Sequence, residues 1–357
     1  MNTKNNLKLL ICLDGFKQGG TQHAILLLLP YFCKNFRKVF LVILQMDSDD
    51  LKIPKLTNLE VKKFNSKKFL DLKLIWQLKL LIWKYKPNII LSSMFRSIIL
   101  TAMLKNFGAK VLWMEQNTYI NRSKFQWKLF KVLSTRIYKA ICISEDVAEI
   151  STKHLAKVVE SAVIPNPIAK TDFKTFCTQR NNEFIFIGRL VPQKNPLLAL
   201  HAFKEFTNRF NSDSKLHFVG DGDLSPNLVK ESRKLGISEQ CVFHGFQPNE
   251  KVYSLLETSK TLISSSIIEG LAMVRLEALA SGNCIVTTNS GGTNQFFHPS
   301  MDIGVLIAES NAINFAEKMY QSLDEKYWTH DLIQRRVNLA SNYSPEKISI
   351  KFLQEFS

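Results

Sequence analysis

EFIFIGRLVPQKNPLLALHAFKEFTNRFNSDSKLHFVGDGD, residues 183–223, is the stretch from which the fold is read. Its ends, EFIFIGRL (183–190) and KLHFVGDGD (215–223), are short apolar runs closed by glycine. Between them PLLALHAFKEFTNRF (196–210) repeats its apolar residues at helical spacing. A strand, a crossover helix and a second strand make a βαβ unit, whose strands run parallel and bury both faces of their sheet. The alternation continues through CVFHGF (241–246), NEKVYSLLETS (249–259), KTLISSS (260–266), a helix over 271–281 and CIVTTNS (284–290). It also runs backwards. LKLLICLD (7–14), KVFLVILQM (38–46), LEVKKFN (59–65), NIILSS (88–93), KVLWMEQ (110–116) and KAICIS (139–144) read as strands with helical patterns between several of them. VIPNPI (163–168) and the polar AKTDFKTFCTQRNNE after it interrupt the series, which places a domain boundary near 165–182. The expectation is an α/β chain of two Rossmann-like βαβ domains facing a cleft.

Length and charge agree with two soluble domains. The chain has 357 residues, more than one core usually supports, and its 45% hydrophobic and 22% charged content is that of a folded protein. The net charge of +16 is unevenly placed: residues 1–170 hold 28 Lys and Arg against 11 Asp and Glu, whereas 171–357 hold 19 against 20. A basic half suits nucleic acid, an anionic membrane or an acidic substrate. The sequence has no zinc-finger spacing, RNP-like aromatic box or helix-turn-helix signature, so nucleic acid is not an expected partner. KKFLDLKLIWQLKLLIWKYKP (67–87) carries an apolar stripe of Leu70, Leu74, Leu78, Leu81 and Tyr85, with Trp76 and Trp83 off its centre and Lys73, Lys79, Lys84 and Lys86 flanking them. Two readings stand beside each other: a helix resting among lipid headgroups, and a core-packed helix with a solvated basic face. Charge interrupts every apolar run before a spanning length, and MNTKNNLKLLICLDGF reads as a first strand and not as a signal peptide. Six scattered cysteines without a CxxC suit reduced, buried thiols and a cytoplasmic location.

The chemistry concentrates in the second half, where four strand-closing loops carry glycine or small residues. Ligands in open α/β sheets bind at the carboxyl ends of strands, against free amides of helix N-termini. FIGRLVPQKN places Arg189 just past a strand and Lys194 five residues on, a pair suited to a diphosphate and equally readable as two solvated cations. HFVGDGD offers Gly220 and Gly222 for close approach of a ligand, and Asp221 and Asp223 as a D-x-D; Asp47 and Asp49 form another. Such short carboxylate pairs are common by chance, and no metal is expected. ISSSIIEGLAMVRLEALASG sets Glu269 at a loop end, Gly270 at a turn and Glu277 on the following helix. Amides around Gly270, Leu271, Ala272 and Met273 suit a phosphate, and the two carboxylates suit hydroxyls of a sugar and a ribose. Glu277 lies among Leu276, Ala278, Leu279 and Ala280, where burial of an unpaired carboxylate is costly, so a partner is implied. Gly291-Gly292 closes the next strand.

Taken together, FIGRLVPQKN, HFVGDGD, VFHGF, E-G-x6-E-A-L-A-S-G and VTTNSGG, with VIPNPI at the junction and the Gly19-Gly20 loop after the first strand, resemble the family 4 retaining glycosyltransferases of the GT-B fold, the bacterial polysaccharide and lipopolysaccharide type. The resemblance is dense over 183–292 and sparse over 30–140. It implies an acceptor-binding domain over 1–168, a nucleotide-sugar-binding domain over 169–340, and a C-terminal helix, 341–357, crossing back to the first. It implies that Arg189 and Lys194 neutralise the donor diphosphate, that Glu269 faces the donor sugar, that Glu277 holds the ribose and that Phe243, His244 and Gly245 line the base. Gly20 is implied to meet the diphosphate. The family is usually metal-independent, so no cofactor is expected beyond a nucleotide-sugar donor, most often a uridine diphosphate sugar. The implied acceptor is a glycan or lipid-linked glycan at the anionic inner face of the cytoplasmic membrane, where the chain is expected as a peripheral protein.

Three residues depart from the family pattern. Many relatives carry His where WMEQNTY has Gln116, so Glu115, Gln116 and Asn117 are the candidate sugar or acceptor contacts. Ala272 stands where Gly, Pro or Ser is usual, and Arg275, in mid-helix, reads as a surface residue before one that reaches an acidic acceptor. His23 and His244 read as structural histidines before catalytic bases, with His23 kept among the possible contacts. A dinucleotide-dependent enzyme is disfavoured, because no G-x-G-x-x-G follows the first strand. A GT-B phosphorylase, a nucleotide-sugar epimerase and a non-catalytic sugar-binding homologue remain alternatives.

Overall fold

The computed structural model describes residues 6–17, 19–47, 51–69, 71–104, 108–116, 122–156, 159–170, 172–173, 179–210, 213–292 and 302–356. The chain divides into two compact units, Met1–Pro167 with Pro345–Ser357, and Ile168–Ser344. Each is a parallel α/β sheet of the Rossmann-like kind.

The first unit runs β1 (Lys8–Gly15), α1 (Gly20–Asn35), β2 (Lys38–Gln45), β3 (Leu59–Lys63), α2 (Leu72–Tyr85), β4 (Ile89–Ser93), α3 (Phe95–Met103), β5 (Lys110–Glu115), α4 (Lys124–Ser134), β6 (Lys139–Cys142), α5 (Glu145–His154) and β7 (Glu160–Val163). Its sheet has the order β3-β2-β1-β4-β5-β6-β7. Runs such as Leu9–Leu13 and Val39–Leu44 are buried at every position, as strands covered on both faces must be. On one face Leu10, Cys12, Phe40, Val42, Ile90, Val111 and Trp113 join a single core with the inner sides of α2, α3 and α4. Asp71 starts α2 by accepting from the amides of Lys73 (3.0 Å) and Leu74 (3.2 Å), and Ser123 starts α4 in a reciprocal capping box with Gln126.

The second unit runs β8 (Asn181–Ile187), a 3-10 turn (Pro192–Lys194), α6 (Pro196–Phe210), β9 (Leu216–Val219), α7 (Ser225–Lys234), β10 (Cys241–Gly245), α8 (Asn249–Thr258), β11 (Ser259–Ser264), α9 (Met273–Ala280), β12 (Cys284–Thr288), β13 (Val305–Ala308), α10 (Ala312–Ser322) and α11 (His330–Ser341). Its strand order is β10-β9-β8-β11-β12-β13, all parallel. The order reverses between β8 and β11, the switch point beside which loops diverge and leave a crevice.

The return to the first unit begins at Pro345 and not at 341, because α11 continues through Ser341. The last helix, α12 (Pro345–Glu355), lies on α1. Phe352 and Phe356 meet Phe32 with ring centroids 5.8 and 6.0 Å apart, and Lys139 binds Glu355 at 2.7 Å.

Candidate active site

The carboxyl end of β8 turns at Gly188 into the loop that presents Arg189 and then the Pro192–Lys194 turn. Arg189 is exposed. The carboxyl end of β11 runs into Ser265–Glu269, and these two loops are stitched together. The Ile267 amide donates to the Gln193 carbonyl (2.9 Å), Gln193 Nε2 to the Ile268 carbonyl (3.0 Å), and Ser265 Oγ to the Asn195 carbonyl (2.8 Å). The stitching delivers Lys194 Nζ onto Glu269 Oε1 in an ion pair whose carboxylate is 7% exposed. Lys194 and Glu269, 75 positions apart in sequence, thus meet at the switch point between β8 and β11.

Glycine does a different job here from the one its sequence context suggests. Gly220 has φ +130, and a Cβ there would lie 2.0 Å from the Gly188 carbonyl oxygen; at Gly222 it would lie 2.6 Å from that of Leu190. The close approach these residues permit is therefore of one loop of the protein to another, fixed by the Leu190 amide donating to the Asp221 carbonyl at 2.9 Å. The Asp221 carboxylate accepts from Gly222 N (2.8 Å) and Ser225 Oγ (2.6 Å), bonds that hold it below the usual carboxylate range. Among the described residues no group of three or more His, Cys, Asp or Glu side chains is arranged to hold a metal, and Asp49 lies outside the described residues.

Gly270, Leu271 and Ala272 lead into α9, which starts at Met273. Ala272 has no side-chain acceptor, so among the described residues no cap side chain covers the amides of the first turn, and the helix dipole adds positive potential there. Gly292, at φ +74, packs against Gly270, its Cβ position 3.2 Å from the Gly270 oxygen. Glu277 lies in the second turn of α9, half-buried, and among the described residues no side chain hydrogen-bonds it. Burial pushes its carboxyl up to about 7.

The expectation of a surface Arg275 is overturned. Arg275 is 2% exposed, donating from Nε to Ser264 Oγ (3.0 Å), from Nη1 to the Ser290 carbonyl (3.2 Å) and from Nη2 to Ser290 Oγ (2.5 Å). The guanidinium spans the ends of β11 and β12. Burial lowers its pKa to about 10, and the Glu269 charge works against that.

On β10, Phe243 stacks on Phe218 with centroids 5.1 Å apart, and His244 Nε2 pairs with His217 Nδ1 (2.9 Å), whose Nε2 faces Glu183 (3.2 Å). Burial, then the neighbouring His217, depresses the His244 pKa, while Gly245 turns the chain at φ +63.

In the first unit Gly20 is the first residue of α1 and is exposed, and a Cβ there would meet no atom within 4 Å. The fold does not require that glycine. His23, one turn on, is half-buried and its pKa is lowered by burial. Glu115 closes β5 fully buried; burial raises its pKa to about 8 against the pull of Arg122, 3.6 Å away. The Gln116 amide is committed to Asn166 of the VIPNPI segment through two reciprocal hydrogen bonds of 3.1 and 2.7 Å. Asn117 lies outside the described residues.

Comparison with known proteins places the second unit. Residues 168–341 match the family described as Glycosyl transferases group 1. The match takes in nearly the whole of this unit, which is similar to the group 1 glycosyl transferases. Among curated relatives, the alpha-1,4-N-acetyl-D-galactosaminyltransferase of Campylobacter jejuni, named for a diNAcBac-PP-undecaprenol-linked acceptor, is 24% identical over 64% of this chain and 62% of its own. The UDP-Gal:alpha-D-GlcNAc-diphosphoundecaprenol alpha-1,3-galactosyltransferase of Escherichia coli is 28% identical over 53% of this chain and 52% of its own. The matched part thus spans from about half to just under two thirds of such relatives. Anabaena HepE in complex with UDP and glucose has the same fold: TM-score 0.80 at 14% identity, over 98% of this chain and 99% of that one.

Within the second unit, the switch point brings together Lys194, Glu269 and the start of α9, on which the Glu277 side chain lies without a hydrogen-bond partner among the described residues. Arg275 is the residue that sequence reasoning misplaced. The signal for it lay in the hydroxyls of SSS (264–266) and Ser290, acceptors suited to a buried guanidinium.

Proposed function

We propose that the chain is a retaining glycosyltransferase, moving a hexose or N-acetylhexosamine from a nucleotide sugar, of uridine diphosphate type, to a membrane-associated glycan in cell-surface polysaccharide or lipopolysaccharide synthesis. The observation that carries the reading is the convergence of Lys194 and Glu269 at the switch point, next to the uncapped α9 amides. The family match of the second unit and the glycosyl transfers named for the two relatives support it, as does the UDP and glucose held by the structural neighbour.

In this reading Arg189 and Lys194 meet the diphosphate, together with the α9 amides, and supply the positive charge that a divalent ion supplies elsewhere. Glu277 accepts from the ribose hydroxyls, and the Phe243–Gly245 stretch lines the base. Glu269 faces the donor sugar. An ion-paired carboxylate is a poor nucleophile, so Glu269 orients the sugar and stabilises developing positive charge while the departing phosphate takes the acceptor proton on the same face.

Glu269→Gln tests this role. Donor affinity, read by calorimetry across a panel of nucleotide sugars, should stay within about threefold, while transfer falls about a hundredfold or more, the usual scale for losing an electrostatic stabiliser. Near-full transfer by the variant removes the role. An inverted anomeric configuration in the product, read by NMR, removes retention.

A further inference from the structure

The helix α2 is apolar on two sides. Leu74, Leu78, Leu81 and Tyr85 face the core. Leu72, Trp76, Leu80 and Trp83, spaced four, four and three residues apart, form a second stripe on the opposite side, at 82%, 62%, 42% and 58% exposure. In helical projection Lys73 and Lys84 border that stripe on one side and Lys79 on the other. Helix α4 repeats the composition, with Phe125 and Val132 exposed and Lys124, Lys128 and Lys131 along one flank of them in helical projection. Both helices cover the same face of the sheet, so both turn their outer sides away from it. Neither contains an acidic residue, and none of these six lysines is ion-paired among the described residues.

We infer that the outer sides of α2 and α4 form a docking surface for an anionic phospholipid bilayer, with Trp76 and Trp83 seated at headgroup depth and the lysines against lipid phosphates. Charge complementarity selects this occupant. A water-exposed stripe of two tryptophans and two leucines is costly on a free surface, whereas bordered by unpaired lysines it matches the interfacial zone of a membrane, apolar below and anionic above. A protein groove lined by carboxylates would complement the lysines but would leave Trp rings no preferred depth, and a nucleic acid would leave Leu72 and Leu80 in water. Among the described residues no helix is long and apolar enough to cross a membrane, so binding here is a surface contact.

The test uses the full chain, nuclease-treated, sedimented with vesicles of phosphatidylcholine alone or with about one third phosphatidylglycerol. The expected result is binding to the anionic vesicles at low salt, at least about tenfold weaker with neutral vesicles or at high salt, and a blue shift of tryptophan emission. Trp76→Ser with Trp83→Ser, and separately Lys79→Glu with Lys84→Glu, should each lower partitioning about tenfold without moving the melting temperature. Failure of the parent to sediment with anionic vesicles overturns the inference. So does binding that vanishes on nuclease treatment, or a tryptophan variant that partitions like the parent. Donor binding measured in solution is independent of all these outcomes, so the inference and the transfer reading fail separately.

Discussion

Replacing Arg275 by Leu is the most direct probe of how the candidate site is held. The guanidinium makes charge-assisted hydrogen bonds that include those to Ser264 Oγ, the Ser290 carbonyl and Ser290 Oγ. Bonds of this kind contribute about 1.5–3 kcal/mol each, so these three account for a gross loss of roughly 5–9 kcal/mol. Relief of the guanidinium's burial cost offsets several kcal/mol of it, leaving a net destabilisation of about 3 kcal/mol. For a unit of this size that lowers the melting temperature by roughly 6–12 °C. Arg275→Lys keeps the charge but not the fork and should recover less than half of the loss. Because the guanidinium ties the end of β11, just before Glu269, to the end of β12, the Leu variant should also bind donor more weakly. Thermal unfolding followed by circular dichroism, with and without donor, reads both effects. If Arg275→Leu melts within about 2 °C of the parent and binds donor equally, the guanidinium does not organise the site and the reasoning fails.

Glu277 gives a pH-dependent prediction. Its carboxyl is held at about 7 in the folded chain against a reference value of 4.5. The folded state therefore retains a proton the unfolded state gives up, and the stability this confers is full below about 4.5 and is lost as pH rises through about 7. Glu277→Gln should melt higher than the parent at pH 8 and equally at pH 4.5, while binding donor about tenfold more weakly at pH 8. Unchanged donor affinity would refute its assignment to the ribose. The glycines separate structure from function. Gly220→Ala places a methyl 2.0 Å from the Gly188 oxygen at a φ hostile to side chains and should cost about 3 kcal/mol or more by chemical denaturation. Gly20→Ala meets nothing within 4 Å, so stability should stay within about 1 kcal/mol while transfer falls if Gly20 contacts the donor.

Both sheets are legible in the sequence because continuous apolar strands separated by helical patterns admit few other arrangements. The strands that escape such a reading are β7 (ESAV), whose four residues are exposed or half-buried, and β13 (VLIA), a short strand at the other sheet's edge. β7 has lost the apolar run, whereas β13 keeps it but is only four residues long. In the site, motif positions are legible but partners are not. Nothing local marks Lys194 for Glu269, or Gln116 for Asn166 fifty positions away. Arg275 sits in MVRLEALA, too short a helix for its pattern to reveal that several of its sides are enclosed. In α2 the two apolar stripes merge into one run of sequence, and only packing shows which side the core takes.

The packing of α12 on α1 bears on how the polypeptide is made. The ribosome releases β1 to β7 first, yet the aromatic cover of Phe32 and Phe36 arrives only after Ile168–Ser344 has been synthesised. At 5–20 residues per second that interval lasts roughly 10–35 s, during which the second unit can complete its own sheet while the first still shows an uncovered phenylalanine surface. Chaperone demand should concentrate in that window. A premature stop near residue 344 would leave the second unit whole and strand the first one in that unfinished form.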